Sequence, residues 1–216
     1  MMDKKIELEK IAKKIASCQK CPLYKTATNP VPGNGDPNAE ILLVGEAPGY
    51  WEDQKGIPFC GAAGKLLDEL LASIGLSRDK VFVGNMLKHR PPENRDPEPS
   101  EMEACQEYLD EQINIINPKA VITLGRFSMA KFLPYAKISK DHGVGRMVEF
   151  NGKKLIVIPM YHPAAALRAG AVDEQLRQDF RRIPAEIERV QKILDGVFDI
   201  KEEPIEEKKK EQLTLV

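Results

Sequence analysis

No run of about 18 apolar residues occurs in the 216-residue chain, so no membrane-spanning helix is expected. The opening stretch, MMDKKIELEKIAKKIA, is a charged amphipathic helix pattern without the apolar core of a secretory signal, which predicts a cytoplasmic protein. Neither sign of charge is in excess: 32 Lys and Arg face 33 Asp and Glu, for a net charge of −1. A nucleic-acid partner would therefore have to be met by local basic patches and not by a global field. Lys88, Arg90 and Arg95 in one loop, with Arg126, Arg146 and Arg168, are the candidates. Cysteine is scarce, with four in all. Without an export signal these sit in a reducing compartment, so Cys18-Gln19-Lys20-Cys21 reads as metal or redox chemistry before it reads as a disulfide. There is no internal repeat.

What is present suits one α/β domain with a small extension, at 42% hydrophobic and 30% charged residues. Four short apolar runs are bounded by turn residues: 41–44, 81–83 leading to Asn85, 120–124 and 155–159. Helical patterns at 63–74, 100–116 and 126–133 separate them. Strands alternating with helices predict a parallel sheet covered on both faces. Residues 3–17 read as a helix, and 22–38, rich in Pro, Gly and Asn, as a loop. Ser100 with Glu103 suggests a capping box for the 100–116 helix. The Gly-rich stretch 134–153 reads as a connector or hairpin. A final helix is expected at 173–194, bent or broken at Pro184. From Gly196 onward the chain has the composition of a disordered tail.

The strand ends carry the chemistry. The stretch 40–68 runs from a buried strand through Gly45-Glu46-Ala47-Pro48-Gly49 to the acidic pair Glu52-Asp53, then to Phe59 and Cys60, and into an amphipathic helix. Ligands of open α/β sheets lie beyond the carboxyl ends of the strands. Glu46, Glu52 and Asp53 follow the first strand, Asn85 ends the second, and His162 follows the fourth. Asn offers a donor and an acceptor together, and so reads an amide-like edge. His stabilises a developing anion or moves a proton. With Phe59 to stack on a flat ring, the set suits a nucleobase lifted out of its stack. Cys18, Cys21, His89 and Cys105 form a second set, of the type that holds zinc or an iron–sulfur cluster.

Three motifs resemble family four uracil-DNA glycosylases, the iron–sulfur branch of the uracil-DNA glycosylase superfamily: GEAPGYWEDQKGIPFCGAAGKLLD, GNMLKHRPPENRDPEPSEMEAC and YHPAAALR. The resemblance runs to about residue 195. It implies a glycosylase domain over 1–195, including the N-terminal cluster-binding segment, followed by the charged tail 196–216. It implies a three-layer α/β/α sandwich around a four-stranded parallel sheet. It implies hydrolysis of the N-glycosidic bond of deoxyuridine in DNA, leaving an abasic site; the alternative is a non-catalytic or uracil-trapping DNA-binding protein of the same fold. By motif position, Glu46 and Glu52 fall in the water-activating or electrostatic region, and Ala47 stands where the best-known branch has an Asp. Phe59 would stack on uracil, Asn85 would bond its Watson–Crick edge, and His162 would stabilise charge on O2. Ala166, Leu167 and Arg168 would belong to the loop entering the duplex, with Lys88, Arg90 and Arg95 meeting phosphates. The Tyr50-Trp51 stretch is the candidate for excluding thymine's methyl. A [4Fe–4S] cluster on Cys18, Cys21, His89 and Cys105 is implied, with zinc as the alternative; the family's third ligand is Cys where this chain has His89. A monomer is expected. Glu211–Val216 resembles sliding-clamp peptides without their aromatic pair, which makes a clamp a candidate partner.

Overall fold

The computed structural model describes residues 3–195. The tail, and with it the clamp-peptide reading, lies outside the described residues. In chain order the elements are α1 (Lys4–Ala16), β1 (Asn34–Gly35), β2 (Ile41–Gly45), α2 (Tyr50–Lys55), α3 (Ala62–Ala72), β3 (Phe82–Asn85) and α4 (Pro99–Ile116). There follow β4 (Ala120–Leu124), α5 (Arg126–Phe132), α6 (Ile138–Asp141), β5 (Arg146–Phe150), β6 (Lys153–Met160), α7 (Pro163–Ala166) and α8 (Gly170–Leu194).

The sheet has six strands, not four, in the order β1-β3-β2-β4-β6-β5. The four apolar runs supply β2, β3, β4 and β6, whose pairings are parallel. Two antiparallel edge strands, β1 on β3 and β5 on β6, make the sheet mixed. The edges were unreadable as apolar runs because β1 is Asn-Gly and β5 is largely exposed. The expected hairpin is real: β5 turns into β6 at Asn151 and Gly152, both with positive φ, the conformation a tight turn between antiparallel strands needs.

Alternation along the strands divides the core in two. Leu43, Val83, Ile122 and Ile158 face α3, α7 and α8 through Leu67, Ala166, Leu176 and Phe180. Leu42, Phe82, Val121 and Val157 face α4 and α5 through Leu109, Ile113 and Phe132. Phe180 and Leu176 are fully buried, which at about 1.5–3 kcal/mol for each such side chain fastens α8 to the sheet. That helix runs unbroken through Pro184, against expectation. Pro184 lies on its exposed side, where water can satisfy the carbonyl left without an N–H donor. The helix at 100–116 starts earlier than the Ser100–Glu103 pairing requires. Pro99 occupies its first turn, and Glu101 Oε2 accepts the Glu98 N–H at 2.9 Å, two residues ahead of the expected box. No helix among the described residues is long and apolar enough to cross a membrane.

Candidate active site

The register β2–β3 places Gly45 directly opposite Asn85. A Cβ at Gly45 would stand 2.2 Å from Asn85 Oδ1 and 2.7 Å from the Phe59 ring, so only glycine lets these two side chains meet here. Asn85 is 1% exposed. Its Nδ2 donates to Glu52 Oε2 at 2.9 Å, while its Oδ1 is buried with no partner. Phe59 adopts φ +50, a left-handed conformation that a large side chain holds only when its surroundings impose it. Arg78 Nη2 donates to the Phe59 carbonyl at 2.9 Å. Gly64 permits the close approach, since a Cβ there would fall 1.6 Å from that same oxygen. The Phe59 ring stacks on His162 with centroids 5.5 Å apart and planes 26° apart, which leaves no ring-thick gap between them.

His162 follows β6 and caps α7. Its Nδ1 accepts the Ala164 N–H at 3.0 Å, so the ring proton resides on Nε2. Burial, with Arg168 adding to it, pushes its pKa down to about 4, and the ring is a neutral donor. Glu46 follows β2. Burial raises its pKa to about 6, with Asp96 adding to the rise and Arg126 opposing it. Burial also raises Glu52, against the pull of the Phe59 and Gly49 backbone N–H groups and the Asn85 amide. Glu46, Ala47, Glu52, His162, Arg95 and Arg168 are among the walls of one cleft of about 480 Å³. Phe59 and Asn85 are buried. Asp53 does not join this cleft. Its Oδ1 accepts from the Thr28 and Asn29 N–H groups, which ties the 22–38 loop to α2.

The expected DNA contacts divide. Lys88 is fully buried and cannot meet a phosphate. Its ammonium donates to Asn85 O at 2.7 Å and Gln112 Oε1 at 2.9 Å, and burial lowers its pKa to about 8. Ala166 is 4% exposed within the α3–α8 core and cannot enter a duplex. Leu167, beside it, is 54% exposed. Arg168 is exposed, its Nε donating to Ala164 O at 3.0 Å. Arg95 forms a two-pronged ion pair with Glu101, at 2.9 and 2.6 Å. Arg90 donates to Asn94 and stands 5.2 Å from the Tyr50 ring centroid. Arg126 pairs with Asp96, and Arg146 with Asp141.

At the junction of α1 and α4, Cys18, Cys21 and Cys105 pack with Leu23, Leu87 and Tyr108. Burial pushes the Cys105 thiol up to about 11, with Cys21 and Cys18 adding to the rise and Lys88 opposing it. His89 shares a cavity of about 190 Å³ with Cys18, and burial lowers its pKa. Three neighbouring thiols and a buried imidazole are a fitting donor set for a cluster or for zinc. Among the described residues, however, no three His, Cys, Asp or Glu side chains are already gathered at metal-holding distances. Cys60 stands apart, its charged neighbours being Glu52, Lys55 and Arg78.

Residues 32–183 match the uracil DNA glycosylase superfamily. The chain belongs to that superfamily. It is 51% identical over 182 residues to the type-4 uracil-DNA glycosylase of Archaeoglobus fulgidus, covering 82% of this chain and 91% of the relative. It is 49% identical over 182 residues to the type-4 enzyme of Sulfurisphaera tokodaii, covering 82% and 83%. The type-5 uracil-DNA glycosylase of Thermus thermophilus is 32% identical over 127 residues, covering 52% and 58%.

The superfamily match spans the whole sheet and every wall of the cleft, but begins after Cys18 and Cys21. Within this glycosylase-superfamily site, sequence reading missed Arg78, which fixes Phe59 from 19 residues away. It also missed Gln112, which takes Lys88 out of solvent and donates to Pro32 O at 2.6 Å. Neither carries a local signal. Gly45 and Gly64 lay inside a quoted motif, and their spacing around Phe59 was the available clue.

Proposed function

We propose that this DNA glycosylase hydrolyses the N-glycosidic bond of deoxyuridine in DNA, taking the flipped-out uracil into the cleft and leaving an abasic site. The observation that carries the reading is the orphaned Asn85 Oδ1. A buried acceptor without a partner costs about 1–3 kcal/mol, a cost that a ligand donor removes. Uracil N3–H is such a donor, and the second hydrogen on Asn85 Nδ2 is left for O4. Cytosine presents the reversed pattern at both positions. Glu52, by accepting from Nδ2, fixes which way round the amide stands.

The remaining groups fit bond cleavage. Uracil leaves as an anion while the sugar gains oxocarbenium character. The neutral His162 Nε2–H donates to O2 as charge develops there, and a preorganised donor of this kind is worth about 100- to 1000-fold. Glu46 is the carboxylate not committed to Asn85. As an anion above pH about 6 it orients water and stabilises the sugar cation. Ala47 leaves no carboxylate at the neighbouring position. Phe59 supplies a fixed apolar face. Leu167 fills the space the flipped base vacates, and Arg90, Arg95 and Arg168 meet phosphates.

A [4Fe–4S] cluster would be held by Cys18, Cys21, Cys105 and His89, with zinc as the alternative. It would supply a structural brace for the 85–105 segment, from which Asn85, Arg90 and Arg95 arise. Cleavage of a labelled oligonucleotide bearing one uracil, followed by alkali, tests the reading. The wild type is expected to cut, and His162→Ala to lose about 100-fold or more. No cleavage by metal-replete wild type overturns it.

A further inference from the structure

Tyr50 and Trp51 open α2 at the cleft mouth, and both line the cleft. Tyr50 is 50% and Trp51 58% exposed. Their rings meet edge to face, 5.1 Å apart at 78°. Trp51 rests on Gly61, where a Cβ would lie 3.5 Å from its Cδ1. So half-open an aromatic pair forgoes burial that these side chains would otherwise gain, and exposed aromatic surface of this kind marks a place of contact. Two arginines stand beside the pair, although the cleft wall also carries Glu46, Glu52 and Asp96. Arg90 lies against the Tyr50 ring, and Arg168 shares the cleft; neither is ion-paired with a carboxylate among the described residues.

We propose that Tyr50 and Trp51 form a stacking platform for an unpaired base beside the flipped uracil, making single-stranded DNA the more tightly held substrate. This rests on the proposed cleavage of uracil from DNA. A base inside a duplex keeps both faces covered by its neighbours, whereas an unpaired base has a free face to lay on an aromatic ring. Stacking of this kind tolerates any base, because every base has a π face, and arginine beside the rings holds the backbone. The exposure of the pair suits this role better than exclusion of thymine's methyl, which calls for a group pressed against the buried ring edge.

Trp51 is the only tryptophan in the chain, so intrinsic fluorescence reads the platform directly. A uracil-free oligothymidylate is titrated into the full-length, metal-replete protein, first as a single strand and then annealed to its complement. The single strand is expected to quench Trp51, and the duplex to leave it bright. Anisotropy of the labelled single strand should show Trp51→Ala binding about five- to 150-fold more weakly, the range of one lost base stack, with Trp51→Phe restoring much of it. On uracil substrates, the single-strand to duplex ratio of kcat/KM should fall by a similar factor in Trp51→Ala. Equal quenching by both DNA forms, quenching by neither, or an unchanged ratio overturns the proposal. Because the probe lacks uracil, these outcomes are separate from failure of the cleavage reading itself.

Discussion

The cleft and the cysteine corner share one connecting segment, 85–105, yet they are held in opposite ways. Around the cleft, protein groups fix three side chains: Arg78 holds Phe59, Ala164 N–H sets the His162 tautomer, and Glu52 orients Asn85. Asn85 Oδ1, buried without a partner among the described residues, is left for the ligand. At the cysteine corner, burial raises the Cys21 and Cys105 thiols and lowers the His89 imidazolium, and apolar packing does the positioning. Protein contacts alone preorganise the cleft, whereas on the proposed reading the corner would take its order from a bound cluster. On that reading chemistry and brace should be separable.

Four perturbations bear on that separation. The largest effect belongs to Gly45→Val, whose Cβ would collide with both Asn85 Oδ1 and Phe59. Activity on a uracil oligonucleotide should fall by about 100-fold or more, comparable with removing a preorganised donor, while bound iron measured by absorbance stays constant. Loss of iron along with activity would mean that the two regions are not independent. Next, removal of the metal by chelation should lower the melting temperature and open the 85–105 segment to protease, because binding energy at a structural metal site is folding energy. A melting curve indifferent to metal would remove the brace.

Lys88→Met should be smaller. It leaves Asn85 O and Gln112 Oε1 without a donor, and each unsatisfied buried acceptor costs about 1–3 kcal/mol. Calorimetry should show a melting point lower by several degrees, with the salt dependence of DNA affinity unchanged. A shallower salt slope would return Lys88 to phosphate contact. The smallest effect is in pH. Glu46 acts as a carboxylate, so kcat/KM should rise as pH climbs through about 6, and Glu46→Gln should erase that limb. Stability moves the other way. A carboxyl whose folded pKa is raised stabilises the fold below its unfolded pKa, and that contribution is lost as pH rises through about 6. His162 titrates near 4 and stays neutral across this window.

Much of this was legible because buried parallel strands read as continuous apolar runs. Their carboxyl ends then point out Glu46, Asn85 and His162, and the quoted motifs carry Glu52 and Phe59. Edge strands β1 and β5 carry no such run. Lys88 and Ala166 show where residue type misleads. A lysine in a basic loop predicts solvent, and only Gln112, 24 residues on, reveals a buried seat for it. Ala166 lies beside an exposed leucine, yet points into the α3–α8 core. The contacts that fix Phe59 are tertiary and left no pattern in the chain.

The most direct test of the account compares wild type and Asn85→Ala on oligonucleotides bearing uracil or cytosine at one position. The account predicts that the wild type cuts at uracil and not at cytosine, and that Asn85→Ala loses about 100-fold or more at uracil with its iron content retained. Undiminished uracil cleavage by Asn85→Ala would contradict the claim that this one buried acceptor reads the base.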